Sequence, residues 1–329
     1  MGMQLFQFDP AAYARDFARD GFVHIRRGVT EEFCSRVLGQ IDALVGSPSG
    51  PGHSAGTPPE ALYEFPASAD QMEELRTVTA AVCALDPRDL VLSERHIEAF
   101  GESAPPEPRA HKDRFASEIS IGISLRAPEG STLVLYPYDE LDVNPFNGSD
   151  LLRSSLSADR QPEPALRRAR RVEINDAPGD VILFRGHRTW HLRTNPANTA
   201  MLTLTLNTMN CDPLGEDPMT PEVRRATEAA AALDDFRLER CIPMIGRRVE
   251  YVHRHYNRNW QEVAGVVLWG EGHFTIDELE LKALRAMDGK RTVRSVLETL
   301  HGSLSPESGL EKIRRLAKRG VLDLVEREA

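Results

Sequence analysis

Between residues 90 and 209 the chain is a succession of short apolar runs of period two: LVLSERHIEAF, SEISIGISL, STLVLYPY, RRVEIN, DVILFRG and TAMLTLTLNTM. Alternation puts every second side chain on one face of a strand, so each run needs a second layer against which to bury that face. Parallel βαβ units would need helical patterns of about 10–15 residues between consecutive strands, and turn residues stand there instead. The pattern predicts a sandwich or jelly roll rather than a doubly wound sheet.

Helical periodicity lies on both sides of this block, giving an α+β fold. DPAAYARDFARDG reads as a helix stopped by Gly21, FVHIRR as a strand, and GVTEEFCSRVLGQIDALVG as a helix with Thr30 at its N-cap and Phe33, Val37, Ile41 and Leu44 as its apolar stripe. GSPSGPGHSAGTPPE is a loop by composition, and SADQMEELRTVTAAVCAL a further helix. The insert DELDVNPFNGSDLLRSSLSADRQPEPALRRARR interrupts the strands, as lids and binding loops do. These patterns predict a β-rich domain over 1–220, a helical connector over 221–273 that includes YVHRHYNRNW, and a small module over 274–329. In that module Thr275 to Glu278 fits a capping box, Gly289 a helix stop, Ser305-Pro306 a helix start and VLDLVE a closing strand, a winged-helix-like order.

A net charge of −10 argues against a broad nucleic-acid surface, and no apolar run approaches the ~18–20 residues that span a bilayer. Cys34, Cys83, Cys211 and Cys241 have no C-x-x-C spacing, which predicts buried free thiols. Without a basic segment leading into an apolar one at the N-terminus, the expected location is cytoplasmic.

The chemistry concentrates in RAHKDRF. His111 and Asp113 are two residues apart, so in an extended segment their side chains share a face. Two ligands hold a metal weakly, and GDVILFRGHRTWHLRTN supplies His187 and His191 at the end of an apolar strand. Two imidazoles and one carboxylate on one side of a metal leave the opposite positions open, an arrangement suited to non-haem Fe(II) and O2.

The order YARDFARDGFVHIRRGVTEEFCSRVLGQI, then HKD, then APGDVILFRGHRTWHLRTNPAN resembles the phytanoyl-CoA dioxygenase family of Fe(II)- and 2-oxoglutarate-dependent oxygenases, over residues 10–210. The resemblance implies a double-stranded β-helix (jelly roll, cupin-like) with iron held by His111, Asp113 and His191. His191 is preferred to His187 because TWHLRTN carries the family's Asn four residues after the ligand. The family's arginine for the far carboxylate of 2-oxoglutarate is missing, since Met201 and Leu202 stand in its place. Arg193 is the nearest substitute, with Arg185 and Arg188 before it and Thr203 and Tyr136 as hydroxyl donors. Asp113 sets the chain apart from related halogenases, which have a small residue there to admit chloride, and so implies hydroxylation or another C–H oxidation.

The substrate implied is a small molecule, amino acid or peptide-tethered residue in specialised metabolism. Tyr138, Asp139, Asn144 and Arg114 are candidates to meet it. The module over 274–329 resembles small winged-helix domains, some of them peptide-binding, and its basic residues Lys312, Arg314, Arg315, Lys318 and Arg319 offer a surface for an acidic peptide or protein partner. A non-catalytic protein that senses a ligand in the β domain is the alternative reading, and a cupin-like metalloenzyme without an oxo-acid is a third.

Overall fold

The computed structural model describes residues 4–45, 60–65, 70–139, 141, 153–154, 156–300 and 305–326. The chain divides into two units, Met1–Met209 and Asn210–Ala329. The loop expected over 46–60 lies outside the described residues up to residue 59, as do residues 140, 142–152 and 155 of the insert, Asn144 among them.

The first unit contains helices α1 (Ala14–Asp20), α2 (Glu31–Val45), α3 (Asp70–Cys83) and α4 (Pro162–Leu166). Its strands are β1 (Phe22–Ile25), β2 (Glu60–Leu62), β3 (Val91–Ala99), β4 (Ile119–Arg126), β5 (Thr132–Tyr136), β6 (Val172–Ile174), β7 (Val181–Phe184), β8 (Trp190–Thr194) and β9 (Ala200–Asn207). Gly21 ends α1 in the left-handed region at φ 75°, where a residue without Cβ carries no steric cost. Thr30 caps α2, its Oγ1 accepting from Phe33 N–H at 3.1 Å.

Among the described residues these strands form two sheets, a six-stranded one in the order β1-β7-β4-β9-β3-β2 and a three-stranded one in the order β6-β5-β8. Every pairing in both is antiparallel. The sequence of the central strand β4 explains the layering. Ile119, Ile121, Ile123 and Leu125 join the main core, with Leu75 and Val82 of α3 and Phe33 and Val37 of α2. Ser120 and Gly122, on the alternate face, line a cavity instead. Strand β9 repeats the device: Leu202, Leu204 and Leu206 enter the core, while Met201 and Thr203 face the cavity. Large aliphatics on one face anchor the sheet, and small or polar residues on the other leave space.

The second unit differs from the predicted connector and module. Helices α5 (Thr220–Ala231) and α6 (Asp235–Leu238) are present, but 221–273 also holds strands β10 (Ile242–Ile245), β11 (Val249–Tyr256) and β12 (Glu262–Leu268). YVHRHYNRNW is therefore no linker: most of it is β11, in a three-stranded sheet of order β11-β12-β13, where β13 is Gly272–Ile276. The short apolar run VAGVVL, rich in β-branched valine, is the sequence signal for the central strand of this sheet. Helices α7 (Glu278–Ala286), α8 (Val293–Glu298) and α9 (Pro306–Lys318) follow, then β14 (Leu322–Val325), which pairs with β10. The capping box of α7 is formed by Asp277 and Glu280, two residues beyond the predicted pair, because Thr275 belongs to β13.

Three cations of α9 pair within their own unit. Lys312 pairs with Asp277, Arg315 with Glu280, and Arg314 with Asp235, while Arg319 lies over the Phe274 ring. These contacts tie the helix to α6 and to the start of α7, and Arg315, Lys318 and Arg319 remain exposed. No cysteine is in a disulfide; Cys34, Cys211 and Cys241 are buried and Cys83 is half-buried.

Candidate metal centre

His111 meets His191 through the backbone. His111 N–H donates to His191 O at 2.8 Å and His191 N–H to His111 O at 2.7 Å, an isolated antiparallel bridge at the edge of β8. Residues paired in this way project side chains to the same face, and the two ring centroids are 4.3 Å apart. Asp113, one pleat further along, has its backbone N–H bonded to Gly186 O at 3.0 Å, at the turn between β7 and β8. One ligand atom from each of His111, Asp113 and His191 lies within 4.8 Å of the other two.

Side-chain contacts fix the donors. Thr189 O lies 3.0 Å from His191 Nδ1, and a carbonyl only accepts, so Nδ1 carries a proton. The neutral ring then presents the Nε2 lone pair 3.4 Å from Asp113 Oδ1. A lone pair facing a carboxylate repels it unless a proton or a cation lies between. This donor set suits a divalent metal, and the Nδ1 contact supplies the outer hydrogen bond that orients metal-binding histidines. Asp113 is held in turn by Ser120, whose hydroxyl donates to Oδ2 at 2.5 Å.

The electrostatics of the three groups are coupled. His191 and then burial lower His111 to about 4, although part of its ring reaches solvent at the cavity. Burial alone would raise Asp113, but the His191 charge and hydrogen bond, with His111 and Ser120, hold it well below the usual carboxylate range. Burial alone would lower His191, and the Asp113 charge and hydrogen bond reverse this and raise it.

The three residues open into a cavity of about 420 Å³ lined from both sheets. Its walls are largely apolar, with Phe100, Pro105, Leu133, Phe184, Pro196 and Met201, and Glu98 and Thr203 add polar groups. Among the described residues, Arg193 is the one guanidinium in the lining. It follows His191 by two residues on the same face of β8, but its terminal nitrogens bond Asp176 at 2.9 and 2.8 Å, and Nη1 also bonds Ser131 at 3.2 Å. Both members of that ion pair are buried, and Arg193 Nε has no partner.

The remaining candidates fall elsewhere. Tyr136, Asp139, Arg185 and Arg188 line a separate cavity of about 210 Å³, so Tyr136 does not reach the metal centre. Strand pairing explains this, because Leu135 stands opposite His191 while Tyr136 stands opposite Trp190. Tyr138 donates to Asp20 at 2.9 Å, and Arg114 pairs with Glu94 at 3.2 Å. His187 is outside the ligand cluster; burial lowers its pKa, and its Nδ1 has no partner. Leu202 is in the core.

Two residues of the site escaped the sequence reading. Ser120 lies in a strand whose alternation marks the cavity face but not its role. Gly186 is required by space, since a Cβ there would overlap the Ser120 hydroxyl and an Asp113 carboxylate oxygen. Its only sequence signal is a glycine directly after an apolar strand.

No protein-family model matches the chain, and no curated protein matches it, so the phytanoyl-CoA dioxygenase resemblance has no such match behind it. Among solved structures, the chain is similar to the non-heme alpha ketoglutarate dependent epimerase SnoN from nogalamycin biosynthesis, at 17% identity and a TM-score of 0.45, covering 60% of this chain and 84% of that one. It is also similar to the carbocyclase SnoK of the same biosynthesis, at 14% identity and TM-score 0.43, covering 59% and 82%. A third is a prolyl-4-hydroxylase from Pseudomonas putida, at 14% identity and TM-score 0.41, covering 60% and 98%.

Proposed function

We propose that the first unit is a double-stranded β-helix oxygenase that binds Fe(II) through His111, Asp113 and His191. It uses 2-oxoglutarate and O2 to oxidise an unactivated C–H bond of a small molecule or peptide-tethered residue in specialised metabolism. The observation that carries this reading is the His191 ring, whose Nδ1 is committed to Thr189 O and whose Nε2 faces the Asp113 carboxylate. When bound, Fe(II) with 2-oxoglutarate supplies the oxidising power to remove a substrate hydrogen.

The residues of the chain have the positioning work. Ser120 and the Gly186 carbonyl hold the Asp113 segment at both its side chain and its backbone. The apolar walls exclude water and favour a substrate that presents hydrocarbon. Thr203 and Arg193 are the groups of the expected oxo-acid set that line this cavity.

Anaerobic titration with Fe(II) and 2-oxoglutarate tests the proposal. A weak visible charge-transfer band, absent in Asp113→Ala, is the expected result; no band in the parent chain refutes it. The pairing of Arg193 with Asp176 favours a second reading, a non-catalytic protein whose β domain senses a ligand, and such a protein would release no succinate. For the second unit, the order of α7, α8, α9 and β14 supports a winged-helix-like reading, in which the exposed Arg315, Lys318 and Arg319 would meet an acidic peptide or protein partner.

A further inference from the structure

A second set of imidazoles stands on the sheet of the second unit. His253 and His255 alternate on β11 and His273 is on β13, with β12 between the two strands. Registers place His253 opposite Gly265 and Gly265 opposite Thr275. Val252, Ala264, Val266, Phe274 and Ile276 belong to or pack on the core beneath. The opposite face therefore carries His253, His255, Gly265 and His273, and it is open to solvent.

Strands on either side of a central one are about 9.5 Å apart, too far for imidazoles to meet across an ordinary side chain. Gly265 removes that obstacle. A Cβ at this position would overlap His273 Nε2 and crowd His253 Nε2. The rings fill the freed volume: centroids are 5.1 Å apart for His253 and His255, 5.0 Å for His253 and His273, and 5.8 Å for His255 and His273. One nitrogen from each lies within 4.8 Å of the other two, and His253 Nε2 is buried without a hydrogen-bond partner.

We propose that His253, His255 and His273 form a second metal site, taking a borderline divalent cation of the zinc class on three histidine nitrogens with one position left to solvent. The donor set chooses the class. Three neutral imidazoles without a carboxylate suit zinc and its neighbours, whereas calcium and magnesium need oxygen ligands. Zn–N bonds of ~2.0–2.1 Å in a tetrahedron imply nitrogens about 3.4 Å apart, a closure that side-chain rotation of the exposed His255 and His273 can supply. The metal would clip β11 to β13 across β12.

Zinc binding by the full chain tests this in the His111→Ala/Asp113→Ala background, which removes the first centre and makes failure of the two assignments distinguishable. Equilibrium dialysis is expected to find one zinc per chain in that background, with a zinc-dependent rise in Tm. Adding His273→Ala should weaken binding by more than the ~10–100-fold typical of losing an outer-shell partner and abolish the Tm rise. Gly265→Ala, which keeps all three imidazoles, should weaken it too. His255→Gln guards against a folding artefact, since it should lose zinc while its zinc-free melting matches the background. Absence of zinc from the background chain, or retention of zinc and the Tm rise in His273→Ala, overturns the proposal.

Discussion

His111 and His191 exchange both of their backbone hydrogen bonds, so two residues eighty positions apart are registered by the main chain alone. The rings are brought together by strand pairing, and neither ring is needed for the pairing. Substituting either imidazole by Ala should therefore leave the fold intact. Far-UV circular dichroism is expected to match the parent, while iron binding and iron-dependent O2 uptake are lost. A His111→Ala chain that retains full iron-dependent uptake would refute the ligand assignment.

Gly186 gives a sharper test of how Asp113 is supported. A methyl group there must displace the Ser120 hydroxyl or the carboxylate it holds. Gly186→Ala is expected to lower metal affinity by ~10–100-fold, the range typical of losing an outer-shell partner. Ser120→Ala should fall in the same range without the steric strain. Metal titrations of both variants separate crowding from loss of the hydrogen bond.

The sequence makes some of this legible and hides the rest for physical reasons. Period two in SEISIGISL and TAMLTLTLNTM exposes both strands and their two faces, because burial of one face forces alternation. His111 and Asp113 are close in the chain, so their common face is readable directly. Pairing between distant strands is not, and Tyr136 went to the wrong cavity on a one-residue difference in register. The fate of Arg193 was equally hidden, since its partner Asp176 comes from the loop after β6, seventeen residues earlier. In the second unit, the His-bearing stretch read as a connector because its polar face dominates, and only its pairing with β12 shows it to be a strand.

The metal-free chain should show separate histidine titrations by NMR. His111, lowered to about 4, stays neutral through the range where an unfolded histidine near 6.5 takes a proton, whereas His191 is raised. The signs follow by linkage. The contribution of His111 to stability is present above 6.5 and lost as pH falls through about 4. That of His191 is present below 6.5 and lost as pH rises through its raised value. One equivalent of zinc should suppress both titrations in the His273→Ala chain, where the second proposed site is removed. Two histidines titrating together near 6.5 would contradict this coupling with Asp113.

Arg193 and Asp176 separate a structural from a functional role. The pair is buried, and Asp176 also accepts from Ser124. Removing one member leaves an uncompensated charge, so Arg193→Ala should cost ~3–5 kcal/mol in urea unfolding. Arg193→Met with Asp176→Leu removes both charges and should recover most of that loss, less the ~1–3 kcal/mol associated with leaving a buried donor such as Ser124 unpaired. Activity then reports on 2-oxoglutarate. If Arg193 anchors the oxo-acid, the recovered double variant still needs far more 2-oxoglutarate for half-maximal succinate release. An unchanged requirement would exclude Arg193 as the anchor and leave its guanidinium as the tie between β8 and the loop that carries Asp176.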